Sequence, residues 1–86
     1  MYSVFYDKRV FKELDRLPKK EVEKIGNRFI ALASIPLPLG VEKLAGGTGM
    51  YRIRQGNYRI LFTVDHPQKK VCIHHVGNRK EVYRRF

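Results

Sequence analysis

The stretch that decides the fold is residues 50–76, MYRIRQGNYRILFTVDHPQKKVCIHHV. It contains three runs rich in β-branched and aromatic residues, at 50–54, 58–65 and 70–76, separated by two short polar segments. Runs of this kind predict strands, and connections of this length predict tight turns between antiparallel neighbours. The carboxy-terminal half is therefore predicted to form a three-stranded antiparallel meander.

The amino-terminal half predicts one strand followed by two helices. Residues 2–6 alternate as a short strand does, and Asp7 is a suitable N-cap for a helix that ends near Leu17. Pro18 suits the first turn of a second helix. The apolar residues of that helix recur at spacings of three and four: Val22, Ile25, Phe29 and Leu32. The order β-α-α-β-β-β predicts an α+β fold, with an antiparallel sheet and a helical hairpin packed on one face, in a single domain spanning 1–86.

The charge is large and uneven. The chain of 86 residues has a formal net charge of +10. Residues 1–42 hold 8 Lys/Arg against 6 Asp/Glu, whereas residues 43–86 hold 10 against 2. An excess of this size on half of a small domain indicates a polyanionic partner, and nucleic acid before a membrane surface.

Several classes of protein are disfavoured by what the chain contains. A single cysteine, Cys72, allows no internal disulfide and no cysteine-based zinc site. The residues after Met1 do not resemble a signal peptide, and no apolar segment approaches the roughly 20 residues that span a bilayer. We therefore expect a cytoplasmic protein without a metal, a cofactor or a membrane partner.

Arginines recur on one face of the predicted meander. Arg52 and Arg54 are two residues apart, so both side chains lie on one face of their strand, opposite Tyr51 and Ile53. Arg59 opens the next strand. A cation-rich face on an otherwise apolar hairpin is suited to RNA phosphates.

Two motifs resemble a known family. KLAGGTGMYRIRQGNYRILFTVD at 43–65 and VGNRKEVYR at 76–84 are similar to the RelE branch of the RelE/ParE toxin superfamily. The resemblance implies a toxin that cuts messenger RNA in the ribosomal A site without a metal, contacts small-subunit rRNA and is held inactive by a cognate antitoxin. It also implies that Arg52 and Arg54 occupy the positions of two strand lysines. By the same resemblance Arg59 and Arg79 match the two catalytic arginines, and Tyr83 matches a C-terminal tyrosine.

Physical chemistry supports these roles. Metal-free cleavage uses the neighbouring 2′-hydroxyl as the nucleophile, and the phosphorane that forms gains negative charge. The guanidinium groups of Arg59 and Arg79 are suited to stabilise it. Tyr83 is the candidate base, because neighbouring cations favour its phenolate. Arginine hardly ever gives up a proton, so the donor to the 5′-oxygen is the weakest assignment. Further substrate contacts are predicted at Lys43, His75, Lys80, Arg84 and Arg85.

Two other functions stay open at this point. ParE-like toxins share the fold and poison DNA gyrase by binding, without this set of nucleolytic residues. A catalytically degenerate relative, kept as a basic nucleic-acid-binding partner of an antitoxin, is the third interpretation. The combination of Arg59, Arg79 and Tyr83 favours the nuclease.

Overall fold

A computed structural model of the chain describes residues 1–44 and 49–78. Its elements in chain order are β1 (Ser3–Tyr6), α1 (Lys8–Asp15), α2 (Lys19–Ser34), β2 (Glu42–Lys43), β3 (Met50–Gln55), β4 (Tyr58–Asp65) and β5 (Lys70–Asn78). The predicted α+β class and the predicted order of elements are confirmed. The two-residue strand β2 is an addition that the sequence pattern did not indicate.

The five strands form one sheet in the order β1-β5-β4-β3-β2. Strands β3, β4 and β5 make the antiparallel meander that the sequence predicted, and β2 extends it at one edge. At the other edge β1 runs parallel to β5, so the sheet is mixed and not wholly antiparallel as predicted. Residue alternation within a short strand does not determine which neighbour it joins or in which direction.

The residues that the sequence singles out at the two helix starts are the N-caps of these helices. The Asp7 side chain accepts a hydrogen bond from the Arg9 backbone N–H at 3.1 Å and caps α1. Pro18 is the N-cap of α2, so this helix begins at Lys19, one residue later than predicted. None of the helices in the described part of the chain is long and apolar enough to cross a membrane.

The main core lies between the helices and one face of the sheet. Val10 from α1 and Ile25, Phe29 and Leu32 from α2 are buried against side chains of the three meander strands. Those sheet residues are Ile53, Ile60, Phe62, Val71, Ile73 and Val76. We call this side of the sheet the helix face, and the opposite side the open face.

Two backbone features interrupt the regular meander. The β3–β4 connection is a two-residue loop, and Gly56 at its first position has a φ of 59°, as a type II′ hairpin turn requires. A register shift separates the pairs Leu61–His75 and Phe62–Ile73, which leaves His74 as the extra residue of a β-bulge in β5. Strict alternation along β5 therefore fails at the two histidines.

Candidate nucleic-acid interface

Three of the predicted arginines share the open face of the sheet. Arg54 is directly opposite Arg59 in the β3–β4 pair, and Arg52 is two residues along β3 from Arg54. The side chain of Arg54 is exposed, and that of Arg59 is half-buried. Like charges directly opposite each other destabilise a sheet, and an anion bound between the two guanidinium groups would relieve this repulsion. The structure thus brings together the predicted strand residues of the site.

Backbone carbonyls and one carboxylate orient these arginines. Arg54 Nε donates to the Gly56 carbonyl at 3.2 Å, and Arg59 Nη1 donates to the Tyr58 carbonyl at 3.3 Å. Arg52 forms an ion pair and hydrogen bond with Glu42, its direct partner in the β2–β3 register. Sequence reasoning missed Glu42, because the strand that holds it has only two residues and shows no alternation.

Lys43 does not join this group. It pairs with Tyr51, whose ring stacks on Phe62 at a centroid distance of 5.9 Å on the helix face. Because directly paired residues share a face, Lys43 lies on the side of the sheet away from the arginines. The structure therefore separates this predicted substrate contact from the others.

The prediction that His75 contacts substrate is wrong. Its side chain is fully buried, with Nδ1 2.8 Å from Glu13 Oε2 and Nε2 2.7 Å from Arg9 Nη1. Arginine can only donate, so Nε2 accepts from Arg9 and Nδ1–H donates to the carboxylate. The other oxygen of Glu13 accepts the Val76 backbone N–H at 3.1 Å. His75 thus holds α1 against β5, a long-range role that the sequence pattern did not reveal.

The remaining predicted site residues lie outside the described part of the chain. They are Arg79, Lys80, Tyr83, Arg84 and Arg85. The strand that leads to them ends at Asn78, and Gly77 in that strand is directly opposite Arg59. Arg79 therefore follows a strand that is hydrogen-bonded to the one carrying Arg59.

The pKa values of two side chains near the bulge are shifted from their usual values. Burial lowers the pKa of His74; the charge of Asp7 opposes this effect, while that of Arg9 adds to it. Burial raises the pKa of the Cys72 thiol, with a further contribution from the charge of Asp7. His74 Nε2 lies 2.9 Å from Thr63 Oγ1. Neutral forms of both groups are therefore favoured near pH 7.

Comparison with known proteins places the chain in a family. The family described as "ParE toxin of type II toxin-antitoxin system, parDE" has a model that matches residues 4–83. The chain belongs to this family. Its membership confirms the resemblance to the RelE/ParE superfamily that the motifs indicated.

Individual members of the superfamily agree with this placement. The chain is 27% identical over 86 residues to putative toxin RelE1 of Methanocaldococcus jannaschii, covering 96% of each chain. It is similar to RelE in the archaeal RelE–RelB complex of Pyrococcus horikoshii, at 31% identity and a TM-score of 0.81, covering 91% of this chain and 94% of that one. The isolated E. coli RelE toxin matches at 26% identity and a TM-score of 0.76, over 99% and 94% of the two chains.

Proposed function

We propose that this toxin is an endoribonuclease that cuts messenger RNA in the ribosomal A site. The observation that carries the proposal is the clustering of Arg52, Arg54 and Arg59 on the open face of the sheet, with Arg54 directly opposite Arg59. A chain of net charge +10 presents there the cations that a phosphodiester backbone requires. The named relatives RelE1 and RelE support the nuclease branch of the superfamily.

In the proposed reaction the RNA supplies its own nucleophile. Tyr83 takes the proton of the 2′-hydroxyl as the 2′-oxygen forms a bond to phosphorus, and the bond from phosphorus to the 5′-oxygen breaks. Arg59 and Arg79 hold the non-bridging oxygens, where the negative charge of the phosphorane develops. A water held at Arg79 gives a proton to the departing 5′-oxygen, and the hydroxide left behind takes up the proton that Tyr83 gained. The products are a 2′,3′-cyclic phosphate and a free 5′-hydroxyl.

The strand arginines position the substrate in this scheme. Arg54 faces Arg59 across the β3–β4 pair, so both guanidinium groups reach the same stretch of backbone. Arg52 forms an ion pair with Glu42, and its guanidinium group orients the neighbouring phosphate. Lys80, Arg84 and Arg85 add diffuse phosphate contacts that strengthen binding at low salt.

A cognate antitoxin and the small ribosomal subunit are the proposed partners. RelE of Pyrococcus horikoshii and RelE of E. coli each have a solved complex with RelB. By analogy we infer that an antitoxin binds this chain and keeps it inactive in the cytoplasm. Residues 1–86 are proposed to act as one toxin domain on message bound to the ribosome, where rRNA of the small subunit is the second surface that the protein contacts.

The description of the matching family favours one other candidate, a ParE-like toxin that inhibits DNA gyrase. The two functions require different surfaces. Cleavage needs cations that converge on one phosphate, whereas gyrase inhibition needs a protein-binding surface. The opposed pair Arg54 and Arg59 supports cleavage.

Primer extension on message isolated after a pulse of toxin expression tests the proposal. Wild-type protein is expected to produce cuts within codons of translated message. The variants Arg79→Ala and Tyr83→Phe are expected to abolish these cuts while expressing at the same level. Intact message together with double-strand breaks in DNA would contradict the nuclease and point to gyrase.

A further inference from the structure

A second concave site lies on the sheet, away from the arginines. It is a cleft of about 300 Å³ lined by Phe5, Thr63, Asp65, Lys70 and Cys72. Three of the sheet's strands, β1, β4 and β5, contribute these residues. The lining combines an aromatic ring, a hydroxyl, a carboxylate, an ammonium and a thiol, so it offers both a flat apolar surface and polar groups at its rim.

The strand register places this cleft on the open face. Thr63 is paired with Met50 on one side and with Cys72 on the other, and Cys72 is paired with Phe5. Directly paired residues share a face, and Thr63 lies four residues from Arg59 along β4. The cleft is therefore about 13 Å from the Arg59 position at the usual rise of a strand. A single strand of RNA held at the arginines reaches this distance within a few nucleotides.

Phe5 is the unusual member of the cleft. It lies on an edge strand, and 49% of the residue is exposed. Lys70 Nζ lies 5.6 Å from the centroid of its ring. An exposed aromatic ring beside a cation suits a nucleotide, because the base stacks on the ring and the ammonium neutralises a phosphate.

The polar groups of the cleft are held in place by the fold. Thr63 Oγ1 lies 2.9 Å from Nε2 of His74, the extra residue of the bulge in β5. Asp65 Oδ1 accepts the Gln68 backbone N–H at 3.1 Å. A hydroxyl and a carboxylate at fixed positions can hydrogen-bond the edge of a base, which is how β-sheet proteins read single-stranded RNA.

We propose that this cleft binds a base of the message near the cut, with Phe5 as the stacking surface and Lys70 as the phosphate contact. The inference rests on the proposed ribonuclease function and adds a second contact, which selects the nucleotide sequence around the cut. In this arrangement the arginines hold the scissile phosphate. The Phe5 cleft, defined by the five lining residues above, determines which phosphate of the RNA lies at the arginines.

Cys72 reports directly on occupancy, because it is the one cysteine of the chain and it lines the cleft. The experiment measures the rate at which iodoacetamide alkylates Cys72 in the purified full chain at about pH 9, where a thiol of raised pKa still reacts. The probe is a short unstructured 2′-O-methyl RNA, which lacks the nucleophile and is not cut. Bound RNA is expected to slow alkylation several-fold. Inorganic polyphosphate can contact Lys70 but has no base to stack on Phe5, so it is expected to slow alkylation much less than RNA does.

Substitutions at Phe5 give the matched comparison. Phe5→Ala is expected to weaken binding of the same RNA about 5-fold or more, the usual effect of removing a stacking ring, and to abolish protection of Cys72. Phe5→Tyr keeps a ring and should behave like the wild type. Phe11→Ala is the control, since Phe11 is 57% exposed and contacts Tyr6, whose ring packs on Phe29 on the helix face.

The outcomes separate this inference from the proposed function. Equal alkylation rates with and without bound RNA, or equal protection by polyphosphate, would overturn the base-binding cleft even if the wild type cuts message. Unchanged binding by Phe5→Ala would overturn it too. Protection of Cys72 in a protein that fails to cut message would instead leave the cleft standing and reject the nuclease.

Discussion

Replacing Arg59 by alanine is expected to slow message cleavage by about 10²–10³-fold, the usual effect of removing one preorganised donor to a developing oxyanion. Arg59 is half-buried near the start of β4, and its guanidinium group donates to the Tyr58 carbonyl. The side chain is thus oriented before substrate arrives. The measurement is the single-turnover rate of cleavage of a message in a programmed ribosome.

Two further variants make the Arg59 result specific. Arg59→Lys keeps the charge but loses the planar pair of donors, so an intermediate rate is expected. Arg16→Ala removes an exposed arginine at the C-cap of α1 and should leave the rate unchanged. A rate for Arg59→Ala within a few-fold of the wild type would show that this guanidinium does not contact the reacting phosphate.

Replacing Glu13 by alanine is expected to destabilise the protein by about 3 kcal/mol, because the change removes the acceptor of two buried donors at once. Those donors are His75 Nδ1–H and the Val76 backbone N–H, and the Glu13 side chain is only 11% exposed. A loss of this size should lower the melting temperature by more than about 10 °C in a domain this small. Thermal unfolding followed by circular dichroism measures it.

Controls on the same helix test the explanation. Glu13→Gln keeps one carbonyl oxygen as an acceptor, so a smaller loss is expected. Asp15→Ala removes an exposed carboxylate from the same helix and should change stability by less than about 0.5 kcal/mol. If Glu13→Ala and Asp15→Ala were equally stable, the contact between α1 and β5 would not depend on this carboxylate.

Local periodicity made most of the fold predictable. Alternation in β3 predicts that Arg52 and Arg54 lie on the face opposite Ile53, and the structure confirms this, with Ile53 in the core beneath the helices. Helical spacing likewise identified the buried residues of α2. These patterns arise from neighbours in the chain, which is why they can be read without a structure.

Contacts between residues distant in sequence could not be predicted from these local patterns. The parallel neighbour of β1, the partner of Arg52 on β2 and the contact of Glu13 with His75 all join residues distant in sequence. The burial of His75 against α1, which removes it from the predicted substrate contacts, likewise depends on partners more than 60 residues away in sequence. The Phe5 cleft depends on the same β1–β5 pairing, so the sequence alone did not predict it.

The central claim is that the RNA attacks its own phosphate through the 2′-hydroxyl while the protein's arginines stabilise the charge. The most direct test is a message with a single 2′-deoxy nucleotide on the 5′ side of the scissile bond, presented in a programmed ribosome with the wild-type toxin. We expect no cleavage of that message, and normal cleavage when the 2′-deoxy nucleotide is placed one position further away. Equal cleavage of both messages would contradict the mechanism, because the nucleophile would then have to come from elsewhere.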